Sequence, residues 1–422
     1  MIVFLLYVAV FALAYVGFRY WQRSRHGLHD FASLKTVTFG DESAVSPNRF
    51  ASVVSIVALF AIWGAFTGSI ITPLHVPGPF VGDTSFTYTA RNAAGETDDA
   101  TVHIRVYRVG EDVPLPDTST DPGGFAVDDA LKIGAWRSAL SRPYENDIGG
   151  NEDGYSLTAI DGKPIAPGDT VRFSNGEIAM TSKGSLSIRP DKGWQMEPIW
   201  LPAPEAVVSA LGTIASEGYK NVSLWEHLGY SLGRVIAGFI IGSIIGIPLG
   251  YAMGLSNWFR GWFDPIVEFM RPVPPLALIP LIIIWFGIGE QGKIILLFLA
   301  ALWIMTIAAR AGVSGVRITK VHAAYSLGAS KWQILRHVIV PNSLPEIFTG
   351  ARVAMGVCWG TVVAAELVAA DRGVGMMIVN ASKFQQTDIV ILGIILIGII
   401  GYGIDIMIRA AEKWLVPWKG RA

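Results

Sequence analysis

Apolar residues along this chain gather in long blocks separated by polar stretches, a pattern that predicts helices crossing a bilayer rather than the packed core of a soluble domain. The first block, residues 2–19, has no basic region ahead of it and is followed by Arg19, Arg23 and Arg25 instead of a small-residue cleavage site, so it reads as a retained span. The second, 51–72, ends at Pro73 in a run with Pro77, Gly78 and Pro79 that a helix cannot continue through. Five further blocks follow at 229–253, 273–289, 292–312, 346–369 and 389–410. Basic residues collect in the link 20–50, in 254–272 (Arg260, Arg271), in 313–345 (Arg317, Lys320, Lys331, Arg336) and at the end (Lys413, Lys419, Arg421). Because positive loops stay in the cytoplasm, this pattern predicts seven spans with the N-terminus outside and the C-terminus inside.

Residues 73–200 are of another kind. They contain no spanning block and carry 19 Asp and Glu against 11 Lys and Arg, which predicts an acidic inserted domain on the periplasmic side. Phe86 to Ala90 and Val102 to Val109 alternate with the two-residue period of strands. Asp161-Gly162 and Asn175-Gly176 are hairpin signals beside the strand-like Thr170 to Ser174. The expectation is a small, mostly β domain, with Val127 to Leu140 as its one helix despite Gly134. The chain therefore divides into an N-terminal span and link (1–50), a second span (51–72), the insertion (73–200) and a helical core (201–422).

Composition sharpens the class. Hydrophobic residues make up 51% and charged residues 16%, against roughly a quarter charged in soluble domains, and spans of this length are helices rather than barrel strands. A net charge of −1 excludes the basic face that nucleic-acid binding needs. Cys358 is the sole cysteine and sits among small apolar residues, so it reads as packing. The acidic turns Asn151-Glu152-Asp153-Gly154 and Asp117 to Asp121 lack a complete calcium spacing, and no metal site is read. With only His75 and His103 in the insertion, no nucleophilic triad can be assembled there. Gly287-Ile288-Gly289-Glu290-Gln291-Gly292-Lys293-Ile294 imitates a phosphate-binding loop, but Ile294 replaces the magnesium-binding hydroxyl and the segment joins two spans. No cofactor is expected on this chain.

The loop between the fifth and sixth spans carries the strongest motif. His322-Ala323-Ala324-Tyr325-Ser326-Leu327-Gly328-Ala329-Ser330 predicts a helix broken at Gly328, followed by an amphipathic segment with Trp332, Leu335 and Ile339 along one side. Ala323, Ala324 and Ala329 are small enough for another surface to approach closely, and such an element can dock in a groove of a soluble partner.

These residues resemble the coupling loop of binding-protein-dependent ABC importer permeases: Ala323, Ala324 and Gly328 match its signature, with Val338 and Pro341 at its end. His322 stands where that family usually has an acidic residue. The resemblance runs from about 201 to 420 and includes the second span. Leu201-Pro202-Ala203-Pro204, the proline-rich 272–280 and Trp285-Phe286-Gly287-Ile288-Gly289 resemble the nitrate, sulfonate and taurine branch, and Ala365-Glu366-Leu367 through Gly375 with the ending Pro417-Trp418-Lys419-Gly420 are most similar to taurine and related sulfonate permeases. The resemblance implies a type I ABC importer permease fold, a homodimer in the bacterial inner membrane, a cytoplasmic ATPase dimer holding ATP and Mg, and a periplasmic solute-binding protein. Taurine is the first expectation for the solute, with nitrate, bicarbonate, alkanesulfonates and aromatic acids open. The rival class is a membrane-anchored sensor or assembly protein.

Charges inside spans are costly and so mark pairs or cavities. Arg234 and Glu366 fall at similar depth near the outer ends of their spans and form a candidate gate pair. Arg352 and Asp405 fall in the inner half, and Asp405 has the helical spacing to pair with Arg409. Arg352, Trp359 and Asp405 complete the candidates for the transport path.

Overall fold

A computed structural model describes residues 2–26, 49–108, 110–118, 124–150 and 154–418. Val109, the turn positions Asp121, Asn151, Glu152 and Asp153, most of the 20–50 link, and Lys419 to Arg421 lie outside the described residues. The chain forms two compact units, residues 1–205 and 206–422.

In the first unit, α1 (Ile2–His26) lies against α2 (Arg49–Thr67), with the Phe18 and Phe50 rings stacked at 5.7 Å. Beyond α2 the chain turns at Gly68 (φ +65), a conformation that suits glycine. The turn is tied to residues 202–205. Trp63 Nε1 donates to Pro202 O at 2.9 Å, Ser69 Oγ to Glu205 Oε2 at 2.6 Å and the Ile70 amide to Glu205 Oε1 at 3.0 Å.

The inserted segment is a two-sheet β domain. One sheet has the order β3 (Asp129–Gly134), β2 (Thr97–Tyr107), β1 (Gly82–Arg91), β5 (Ser156–Ile160), β6 (Lys163–Pro164); the other has β4 (Ala139–Ser141), β9 (Leu186–Pro190), β8 (Gly176–Met180), β7 (Thr170–Phe173). Alternate residues from both sheets, Phe86, Tyr88, Ile104, Ile160, Ile178 and Ile188 among them, share one buried core. Asp161 and Gly162 both have positive φ and close the β5–β6 hairpin. In the next hairpin the turn residues are Ser174 and Asn175, while Gly176 opens β8, where a Cβ would press on Phe173 and the backbone of Pro190. The helix expected over Val127 to Leu140 is not formed. Residues 129–134 instead pair in parallel with β2, Ala135 N bonds to Tyr107 O at 2.7 Å, and Trp136 (φ +63) breaks the run before β4. Pairing with β2 supplies backbone partners that outweigh the local helical preference.

In the second unit the amphipathic α3 (Pro204–Glu217) leads to α4 (Leu224–Leu255), capped by Ser223, whose hydroxyl accepts from Glu226 N at 3.2 Å. α4 packs on α7 (Glu290–Ser314) through glycines spaced four apart. A Cβ at Gly242 would stand 2.6 Å from Ala301 Cβ, and one at Gly254 would stand 2.8 Å from Val313 Cβ, so only bare backbone permits this approach. The matched positions rise together along both helices, so α4 and α7 run parallel with one return between them. α10 (Val340–Ala369) runs antiparallel to α7, with Ser343 at Gly312 and Cys358 Sγ 3.4 Å from Leu297 O.

The return between α4 and α7 departs from the straight span expected at 273–289. α5 (Asn257–Met270) meets the 3-10 turn Pro275–Leu278 and α6 (Ile279–Phe286) at a 93° bend. Pro274 and Pro275 supply no amide hydrogens, which breaks the ladder at the corner. The segment 254–272, expected as a plain link, is mostly the helix α5. On it, Asp264 and Glu268 accept from Arg310 of α7 (3.0 Å for Glu268), while Trp258, Trp262 and Phe269 are exposed. Exposed Trp and Phe beside an ionic face suit the membrane–water boundary. A short helix, α11 (Val374–Lys383), and the long α12 (Thr387–Leu415) end the fold. Among the described residues, α2, α4, α7, the continuous helix Lys331–Glu366 and α12 are long and apolar enough to cross a bilayer, with α5 and the 275–286 segment as a bent sixth.

Candidate functional site: a coupling arm and an intramembrane ion network

The loop 318–340 is an arm of two helices. α8 (Ile318–Ser326) stops where Gly328 takes φ +80, and α9 (Lys331–Ile334) begins with a capping box in which Ser330 N donates to Gln333 Oε1 at 2.8 Å. Nothing lies within 4 Å of a Cβ built at Gly328. Its backbone conformation, rather than crowding inside the chain, therefore requires glycine there. Lys320 Nζ donates to Asn342 Oδ1 at 2.6 Å, which fastens α8 to the base of α10.

The arm departs from the sequence expectation in its register. Leu335–Ile339 forms a π turn in which Val340 N bonds to Leu335 O, and the helix then runs on through Pro341 into α10. Pro341 has no amide hydrogen, and widening the preceding turn removes the clash with the carbonyl one turn back. The π turn also shifts the register, so Trp332, Leu335 and Ile339 do not form one packed side. Ile334 is the buried residue, while Trp332 is 68% exposed and Leu327 87% exposed. His322, Ala323 and Gly328 are exposed, and Ala324, Ala329 and Leu335 are half-buried. The arm thus presents apolar side chains at the end of a helix that continues as far as Glu366.

The second cluster lies where α4, α7 and α10 meet the turn before α11. Arg234 is 4% and Glu366 1% exposed, with Arg234 Nη1 donating to Glu366 Oε1 at 2.6 Å. The same guanidinium donates from Nε and Nη2 to the two carboxylate oxygens of Glu290, each at 2.6 Å, and from Nη1 to Arg372 O at 2.8 Å. Lys293 Nζ adds a bond to Glu290 Oε1 at 3.0 Å. Glu366 also accepts from Ser231 Oγ at 2.8 and 3.0 Å and from Gly375 N at 2.9 Å. A side chain on Gly373 (φ +136) would collide with the Glu366 carboxylate. Its carbonyl and amide instead lie 3.1 Å from His227 Nδ1. Each buried charge is paired and hydrogen-bonded, the condition under which such a cluster is tolerated in a membrane.

Sequence reasoning brings forward Arg234 and Glu366 but misses Glu290, Lys293, Ser231 and His227. Glu290 and Lys293 stand out in the sequence only as parts of a false phosphate loop. Their depth at the start of α7, level with Arg234, is the signal that could have found them.

Asp405 pairs with Arg409 at 2.7 Å on α12. Trp359 is 7% exposed, with Nε1 donating to Ile397 O at 2.9 Å, so it packs between α10 and α12. Arg352 is brought to neither Asp405 nor any other carboxylate among the described residues, and its Nε is buried without an acceptor.

Long apolar crossings, an exposed arm and a buried ion network together define a multi-pass membrane protein. The profile of the family described as binding-protein-dependent transport system inner membrane component matches residues 227–417. The chain is 48% identical over 246 residues to the taurine transport system permease protein of Escherichia coli K12, covering 57% of this chain and 90% of that one. It is 40% identical over 226 residues to the putative aliphatic sulfonates transport permease of the same organism, covering 54% and 84%. Identity to the nitrate import permease of Synechococcus elongatus is 31% over 161 residues, covering 37% and 55%. The chain belongs to this family: it is a multi-pass inner-membrane permease subunit of an ABC importer, not an enzyme, and ATP hydrolysis resides on a separate subunit.

Proposed function

We propose that this subunit forms the path by which a small organic sulfonate, taurine foremost, is imported from the periplasm. Two copies would enclose the path, two ATPases would dock on residues 323–340, and a binding protein would deliver solute from outside. The observation that carries the reading is the exposed arm continuous with α10, whose apolar tip has no role in a protein that merely anchors itself. The taurine assignment is supported by the 48% identity to a taurine permease.

In this reading, closure of the ATPase pair pushes the arm. Because α9, the π turn and α10 form one continuous helix, displacement at Trp332 reaches the Glu366 end, where the Arg234 network closes the outer side. The β domain lies on the periplasmic side as a docking or gating module, and the termini face outside (N) and inside (C). A tagged chain purified in detergent with its ATPase tests the arm. Wild type should retain the ATPase and Gly328→Asp should lose it; retention by both would remove the arm from the docking surface.

A further inference from the structure

Several basic side chains of the crossing helices are answered by carboxylates: Arg234 by Glu290 and Glu366, Lys293 by Glu290, Arg310 by Asp264 and Glu268, Arg409 by Asp405. Arg352, in the middle of α10, is not. No carboxylate of the described residues stands within ion-pair distance, and its Nε is shielded from solvent with nothing to donate to. At 1.5 Å per residue it lies about 18 Å from the start of α10 and about 26 Å from its end, deep within the crossing segment. Arginine does not escape the cost by losing its proton.

The face beside it carries polar and small residues. Glu346, Thr349, Val353, Gly356 and Gly360 are exposed at alternating spacings of three and four, which sets them in one line along α10 next to Arg352. A Cβ at Gly356 or Gly360 would meet no atom of this chain within 4 Å, so its own helices leave this line uncovered.

We infer that Arg352 is an anion-holding station partway along the solute path, where the guanidinium takes the sulfonate head of the solute after it has passed the Arg234–Glu366 closure. The inference rests on the reading above that the solute is a small anion. The chemistry is the two-pronged donation by which arginine recognises oxyanions, here with the partner supplied only in transit. Glu366 lies about 21 Å further along the same helix, so closure and station are separate in depth yet move on one rod driven by the coupling arm. A guanidinium without a carboxylate partner fits transport, since a permanent partner would compete with the solute.

The test uses the permease reconstituted with its ATPase and binding protein in proteoliposomes. Arg352→Gln should lower taurine uptake about tenfold or more while the ATPase still co-purifies, and Arg352→Lys should keep a substantial part of the rate. Arg352→Cys gives a second readout, because native Cys358 is fully buried and shielded from reagent. Labelling the introduced thiol with the cationic aminoethyl methanethiosulfonate should restore uptake, the neutral methyl reagent should not, and taurine should slow the labelling. Wild-type uptake by Arg352→Gln, or labelling indifferent to taurine with no rescue by charge, would overturn the station while leaving the transport reading intact. Wild type that carries a neutral solute and no anion would instead overturn the reading on which the station rests.

Discussion

Replacing Glu366 with alanine removes one carboxylate but strands several groups at once. Arg234 Nη1, Ser231 Oγ and the Gly375 amide all donate to it in a site that is almost fully enclosed. Breaking a buried pair by deleting one partner costs roughly 3–5 kcal/mol, because the remaining charge is left uncompensated. Arg234 retains Glu290, whose side chain is half exposed, so the expected loss falls toward the lower end. For a helical unit of this size, about 3 kcal/mol corresponds to a thermal midpoint lower by about 6–12 °C. The assay is thermal unfolding of detergent-purified wild type, Glu366→Ala, Arg234→Met and the double variant. Residues sharing one network do not behave independently, so the double variant should lose less than the two singles added together. Strictly additive losses, or a Glu366→Ala midpoint equal to wild type, would refute the claim that this network holds the outer end of the helices.

Three further outcomes are expected. Gly242→Leu forces a side chain where a Cβ already stands 2.6 Å from Ala301, so it should cost about 1–3 kcal/mol or more and lower the yield of folded protein; Gly233→Ala, with open space around its Cβ, should not. Trp332→Ala should leave the thermal midpoint unchanged, since the ring is exposed, while weakening ATPase capture by about tenfold or more, as for an interface anchor worth about 2 kcal/mol. In the β domain, burial together with the nearby charges of Asp147 and Asp128 pushes Asp129 up to about 7. The folded domain then holds a proton that the unfolded chain releases, so this stabilisation is fully present below about pH 4 and is lost as pH rises through about 7. Unfolding midpoints of the full chain between pH 5 and 8, read by a probe in the β domain, should fall with pH in wild type and less so in Asp129→Asn.

Long apolar runs and the glycine-broken loop were legible because each is a local property of the chain. Gly328 takes the left-handed conformation that its place in the loop demands, β1 and β2 cover the alternating stretches, and β7 lies beside the hairpin signals. What was missed depends on distant partners. Residues 129–134 form a strand because β2 offers a parallel edge, which no local propensity reports. Proline at 274 and 275 was visible, yet the 93° corner it helps make, and the exposed tryptophans of α5, emerge only when α5 meets Arg310. Depth along the spans was enough to bring Arg234 and Glu366 together. Glu290 and Lys293 share that depth, but they open α7 within a segment that imitates a phosphate loop, and their inward turn is set by Arg234 on another helix. The π turn before Pro341 likewise overrides the helical spacing that would align Trp332 with Leu335 and Ile339.

The most direct test of the central claim is ATP hydrolysis by the permease–ATPase complex in proteoliposomes, with the binding protein present and taurine added or withheld. Hydrolysis should rise with taurine, accompanied by its accumulation in the lumen. A complex that hydrolyses ATP without response to taurine, other sulfonates or nitrate would contradict that claim.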